Sequence, residues 1–163
     1  MRRMWFYALM VSVLLLGAAP TAGFAGETDQ ISFKVLSTKV VTRLDGVNGN
    51  AVTWEDSERT KGLIIALEVE VPKDMTLWSP DFNTFYYHGD DVASEDRGRS
   101  RAMSLAVSSP DDEGAWVVGN YVKTPVKAGT RYINLLFPLE DDVKKVSLHY
   151  SYPVLRDIAI NRN

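Results

Sequence analysis

Residues 62–71, GLIIALEVEV, limit most strongly what this chain can become. The apolar side chains Leu63, Ile65, Leu67, Val69 and Val71 recur at every second position, which puts all five on one face of an extended strand. Glu68 and Glu70 mark the other face as wet at its far end, while Ile64 and Ala66 need cover at its near end. The same period returns in Ile31, Phe33 and Val35, in Met103, Leu105 and Val107, in Ile133, Leu135 and Phe137, and in Val146, Leu148, Tyr150 and Tyr152. Residues 153–163 read as a closing edge strand with Val154, Arg156, Ile158 and Ile160 on one face.

Polar segments separate these runs at 45–50 (DGVNGN), 71–74 (VPKD), 88–91 (HGDD), 109–114 (SPDDEG), 124–129 (TPVKAG) and 138–142 (PLEDD). Gly, Asn, Asp and Pro supply positive φ, local side-chain bonds or a fixed φ at turns. No long run at 3.6-residue spacing follows residue 25; EDDVKK (140–145) and WEDSERTK (54–61) hold at most one helical turn each. Many short strands joined by polar turns predict an all-β fold, an antiparallel two-sheet immunoglobulin-like sandwich of about seven to nine strands.

The N-terminus has a different character. Arg2 and Arg3 precede an apolar run from Met4 to Leu16, and small residues follow, with Gly23 and Ala25 placed for cleavage after residue 25. That order is the pattern of a secretory signal peptide, and the run is shorter than the roughly 20 residues a membrane-spanning helix needs. Residues 1–25 are expected to be a signal peptide and residues 26–163 one β-sandwich domain in the periplasm or outside the cell. Without Arg2 and Arg3, 16 basic side chains face 21 acidic ones, a net charge of −5 that argues against nucleic acid as a partner. There is no cysteine. Disulfides, thiolate metal sites, cysteine nucleophiles and lipid attachment at a lipobox are thereby excluded.

From residue 127 the order KAGTRYINLLFPLEDDVKKVSLHY places Gly129 before an alternating strand that ends at Phe137 and Pro138, then an acidic turn, then a second strand. Upstream, IIALEVEV, Phe82 and Gly89 follow in matching order. Over residues 31–152 the chain resembles the DUF4352-type immunoglobulin-like secreted domains of bacterial envelope proteins. The resemblance implies a sandwich fold and an envelope location, and it brings no catalytic residues.

The chemistry-bearing residues are sparse. His88 and His149 are the only histidines, and no G-x-S-x-G elbow is present, so an enzyme, most plausibly a hydrolase, ranks last among the readings. Asp90, Asp91, Glu95 and Asp96 are the best calcium candidates, but acidic residues at turns already have a backbone and solvation role; no metal and no cofactor are expected. Arg97, Arg99 and Arg101 alternate in phase with Met103, Leu105 and Val107. They form either the cationic end of one long core face, able to bind a carboxylate or phosphate, or a loop broken at Gly98 and neutralised by Glu95 and Asp96. The loop is the reading adopted here. Trp116 is expected in the core, whereas Trp54 and Trp78, with Tyr86 and Tyr121, could stack on a sugar or a peptide. In SPDFNTFYYHGDD (79–91), Phe85 and Tyr87 are expected inward, Tyr86 and His88 outward, and HGDD as a hairpin turn.

The chain therefore reads as a secreted or periplasmic, non-enzymatic domain. It would recognise another envelope protein through its loop ends or by adding a partner strand to a sheet edge. The alternative is a module for a glycan or small anion that uses Trp54, Trp78, Tyr86, His88, Arg97, Arg99 and Arg101. No membrane span is expected after cleavage.

Overall fold

In a computed structural model, residues 30–162 are described, apart from 56, 58, 88–96, 111, 113 and 120. The expected signal peptide, His88, the HGDD turn and the calcium candidates Asp90, Asp91, Glu95 and Asp96 lie outside the described residues.

In chain order the described strands are β1 (Ser32–Val41), β2 (Arg43–Asp45), β3 (Ala51–Thr53), β4 (Thr60–Val71), β5 (Met75–Trp78), β6 (Phe82–Tyr87), β7 (Arg97–Arg101), β8 (Ser104–Ser108), β9 (Val117–Val118), β10 (Lys123–Val126), β11 (Gly129–Glu140), β12 (Lys145–Tyr150) and β13 (Tyr152–Ala159). They form a five-stranded sheet in the order β1-β4-β11-β8-β9, a four-stranded sheet β13-β12-β6-β7, and the two-stranded pairs β10-β5 and β2-β3. All pairings are antiparallel among the described residues. The all-β antiparallel sandwich is as expected. The strands outnumber the seven to nine anticipated because short pieces such as β2, β3 and β9 fall below the length at which alternation can be read.

β4 and β11, whose alternation is plainest, pair along their full length from Gly129↔Val71 to Glu140↔Thr60. Leu63, Ile65, Leu67 and Val69 of β4 and Ile133, Leu135 and Phe137 of β11 are all fully buried. They meet Phe82, Tyr86, Val146, Leu148 and Ile158 from the four-stranded sheet in one continuous core. Removing each such side chain from water contributes about 1.5–3 kcal/mol, which lets the fold stand without a disulfide. Pro138 does not end β11, contrary to the expectation. It lies beyond Leu136, the last β11 residue paired to β8, so its missing N–H removes no bond to that neighbour. Pro125 likewise sits within β10, one strand of a two-stranded pair, where a turn was expected.

A second, smaller cluster covers the outer face of the five-stranded sheet: Ile64, Ala106, Trp116 and Leu136, with Trp54, Val41, Leu44 and Val52 packed against it. This accounts for the covered near end of β4. Trp54 lies so close over Gly62 that a Cβ there would sit 2.4 Å from its ring.

Two expectations are corrected. The 97–101 segment is strand β7, not a loop, and it pairs with β6 from Asn83↔Arg101 to Tyr87↔Arg97. Arg99 and Arg101 also do not continue the face of Leu105. The Ala102 N–H donates to Phe82 O and the Met103 N–H to Leu136 O, so the chain passes from one sheet to the other between these two residues. The phase breaks at that step. Ser100 and Ala102 turn inward, while Arg99 and Arg101 are exposed on the outer face of the four-stranded sheet.

In β6 the inward residues are Phe82, Thr84 and Tyr86, so Tyr86 points inward where it was expected outward. Tyr86 faces Gly98 across the ladder, where a Cβ would lie 2.2 Å from its ring. The glycine read as a strand breaker is the space that admits a core tyrosine. Phe85 is displaced to the outer face.

Candidate functional site

The two main sheets end beside each other at β1 and β13, each with one edge free of ladder pairing among the described residues. The strands run in the same sense. Phe33, early in β1, meets Tyr150 just ahead of β13, with ring centroids 5.5 Å apart, whereas Thr38 lies beside Ala159 at the end of β13. At that end one side chain links the sheets: the Thr38 hydroxyl donates to Ala159 O at 3.0 Å and accepts from the Asn161 N–H at 2.8 Å. It offers β13 the donor and acceptor that a neighbouring backbone would supply.

The edges part where each slips register against its own neighbour. In β1 the register steps from Val35↔Leu67 to Ser37↔Ala66, leaving Leu36 without a partner. In β13 it steps from Ile158↔Val146 to Leu155↔Leu148, three residues against two, and Asp157 adopts φ 52°. Bulges bend and twist the strand that holds them. Two of them on facing edges open a groove of about 660 Å³ between β1 and β13. Phe33, Val35, Leu155 and Ile158 supply apolar surface continuous with the core, and Leu36 is 45 % exposed at the rim. Lys34, ion-paired to Glu68 at 3.3 Å, and exposed Arg156 put charge along the rim, a guard against indiscriminate edge pairing. The groove follows residues 33–38 of β1, about 20 Å of extended chain. Strand edges without ladder pairing among the described residues thus lie above an apolar floor.

The residues singled out from sequence are spread over several surfaces. Tyr86 is in the core, where its hydroxyl donates to Glu140 Oε1 at 3.3 Å and burial pushes the phenol above its ordinary pKa. Trp54 is half-buried in the smaller cluster. Trp78 is 37 % exposed on β5, its ring centroid 6.4 Å from that of Tyr121, and the Lys123 ammonium lies 4.6 Å from the Trp78 centroid. Arg99 is on the outer face of the four-stranded sheet. Its Nε and NH2 donate to Asn83 Oδ1 at 3.1 and 2.9 Å, and its guanidinium lies 5.5 Å from the centre of the Phe85 ring, which in turn contacts His149. Arg101 is opposite Asn83, and Arg97 opens β7 opposite Tyr87. Arg99 and Arg101 thus share one face, while Trp54, Trp78 and Tyr86 are elsewhere.

Sequence reasoning named edge-strand addition and read residues 153–163 as an edge strand, as β13 is, but it did not identify β1 as its neighbour or the seam between them. The signal lay in Leu36 and in Asp157, yet a bulge exists only relative to the register of its partner strand. No family model, no curated protein and no solved structure matches this chain.

Proposed function

We propose that this chain is an exported, non-enzymatic binding domain that recognises another envelope protein by taking an extended segment of it into the β1–β13 seam. The observation that carries the reading is the seam itself, where two sheet edges diverge around an apolar groove and the Thr38 side chain bonds across it at one end. An incoming strand would bond through its main chain to one or both edges and place every second side chain against Phe33, Val35 and Leu155. The leader-like sequence at 1–25 and the resemblance to DUF4352-type envelope domains support the same setting.

The test is a photo-crosslinking residue introduced singly at Leu36, Arg156 and Glu55 in the exporting cell. The reading expects a discrete protein adduct from positions 36 and 156 and none from exposed position 55. The absence of any adduct, or the same adducts from all three positions, would overturn it.

A further inference from the structure

The outer face of the five-stranded sheet carries a second concavity, of about 260 Å³, on the other side of the Leu36 bulge. Its floor follows from the register. Ser37 pairs with Ala66, Ala66 with Asn134, and Asn134 with Ala106, so a row of small residues around one amide crosses the sheet. The neighbouring row, Glu68–Tyr132–Ser108, is taller and leaves a step. Leu36 closes one end, and Ser109, Pro110 and Asp112 line the other.

Ser109, Asp112 and Gly114 are tied to one another. Ser109 and Asp112 exchange backbone bonds of 3.1 and 3.3 Å, and Asp112 Oδ1 accepts the Gly114 N–H at 3.1 Å. Gly114 has φ +78°, and a Cβ there would lie 2.1 Å from Val107 O, so only glycine fits and the carboxylate is fixed in place. Asn134 is 3 % exposed.

The geometry points to this concavity as a site for a single neutral sugar ring. The hydroxyls of Ser37, Ser108 and Ser109, the Asn134 amide, the Tyr132 phenol and the Asp112 carboxylate provide both donors and acceptors, as vicinal sugar hydroxyls require. Leu36, Ala66 and Pro110, with the Tyr132 ring, provide surface for the C–H faces of the sugar. Among the described residues no Lys, Arg or His lines the site, and the ionic group that does, Asp112, is acidic, which disfavours anions. The volume falls below the roughly 300–1,000 Å³ of sites for drug-sized ligands, which limits the occupant to about one ring. The seam plays no part in this binding, although Leu36 and Ser37 line both concavities.

The experiment is retention of the folded protein on immobilised neutral glycans ending in glucose, galactose, mannose, fucose or N-acetylglucosamine, with glucuronate-terminated glycan as the anionic comparison. The site predicts retention on at least one neutral terminus, weakened about tenfold in Asp112→Ala, which removes a charge-assisted bond, and abolished in Ala66→Phe, which fills the floor. Thermal unfolding of both variants verifies that they fold, and crosslinking from position 156 reports the seam separately. Retention on no neutral glycan, retention only on glucuronate, or undiminished retention of Ala66→Phe would overturn the proposal.

Discussion

Gly98 and Tyr86 form the most consequential pair of single residues. Replacing Gly98 by alanine drives a methyl group into the Tyr86 ring, and overpacking of this kind costs about 1–3 kcal/mol. Urea unfolding of Gly98→Ala is expected to reveal that loss, whereas Gly119→Ala, with open space at its Cβ, stays within about 0.5 kcal/mol of the parent. Tyr86 also links stability to pH. Burial is the largest cause of its pKa rising above 10.0, so folding favours the neutral phenol. That contribution is complete below the ordinary tyrosine pKa and is lost as pH rises towards the elevated folded value. Stability of the parent should therefore decline above about pH 10, and less so in Tyr86→Phe, when denaturant midpoints are compared from pH 8 to 11. Tyr150, raised chiefly by burial as well, leaves a residual slope in that variant. The inward turn of Tyr86 could not be read from its neighbours. Phe85 and Tyr87 look as apolar as Tyr86 does, fully buried Thr84 disguises the inward face, and the deciding residue is a glycine twelve positions away on another strand.

Among the elements, β4 and β11 were legible because the core face of each is unbroken and their outward residues are polar over much of the length. β7 was not, since its alternation matches that of β8 in sequence and only the step between sheets at Ala102 and Met103 separates their faces. β10 was hidden by Pro125, a turn signal wherever the neighbouring strands are unknown. An edge at the closing strand was foreseeable, but the seam depends on register steps in both β1 and β13 that no local pattern announces. The Thr38 link across it can be tested directly. Thr38→Val removes the donor to Ala159 O and the acceptor for the Asn161 N–H, at a cost of about 1 kcal/mol. Amide exchange at Asn161 should accelerate in this variant more than at Leu135 in the centre of β11, as measured by NMR hydrogen exchange.

At the scale of the whole molecule, the two main sheets share the larger core cluster, and the smaller one belongs to the five-stranded sheet alone. Leu67→Ala in one sheet and Leu148→Ala in the other are each expected to cost about 2–5 kcal/mol and to move a single transition, with tryptophan fluorescence and far-UV circular dichroism coinciding. Separate midpoints for the two probes would mean that the layers unfold independently. The central ladder joins β4 to β11, which begins at Gly129, far along the chain, so long loops must close before it forms. Refolding is accordingly expected on the millisecond-to-second scale, measurable by stopped flow.

The parallel seam between the first and last strands also governs how the fold would carry tension. A pull applied at residues 31 and 160 enters β1 at its start and β13 at its end, which lie at opposite ends of two neighbours running in the same sense. The load is then directed along the strands. It strains the β1–β4 and β12–β13 ladders in shear, with many hydrogen bonds loaded together, and does not peel them open one at a time. A segment seated in the seam would add its own bonds to that resistance, so occupancy of the groove would register as a higher rupture force.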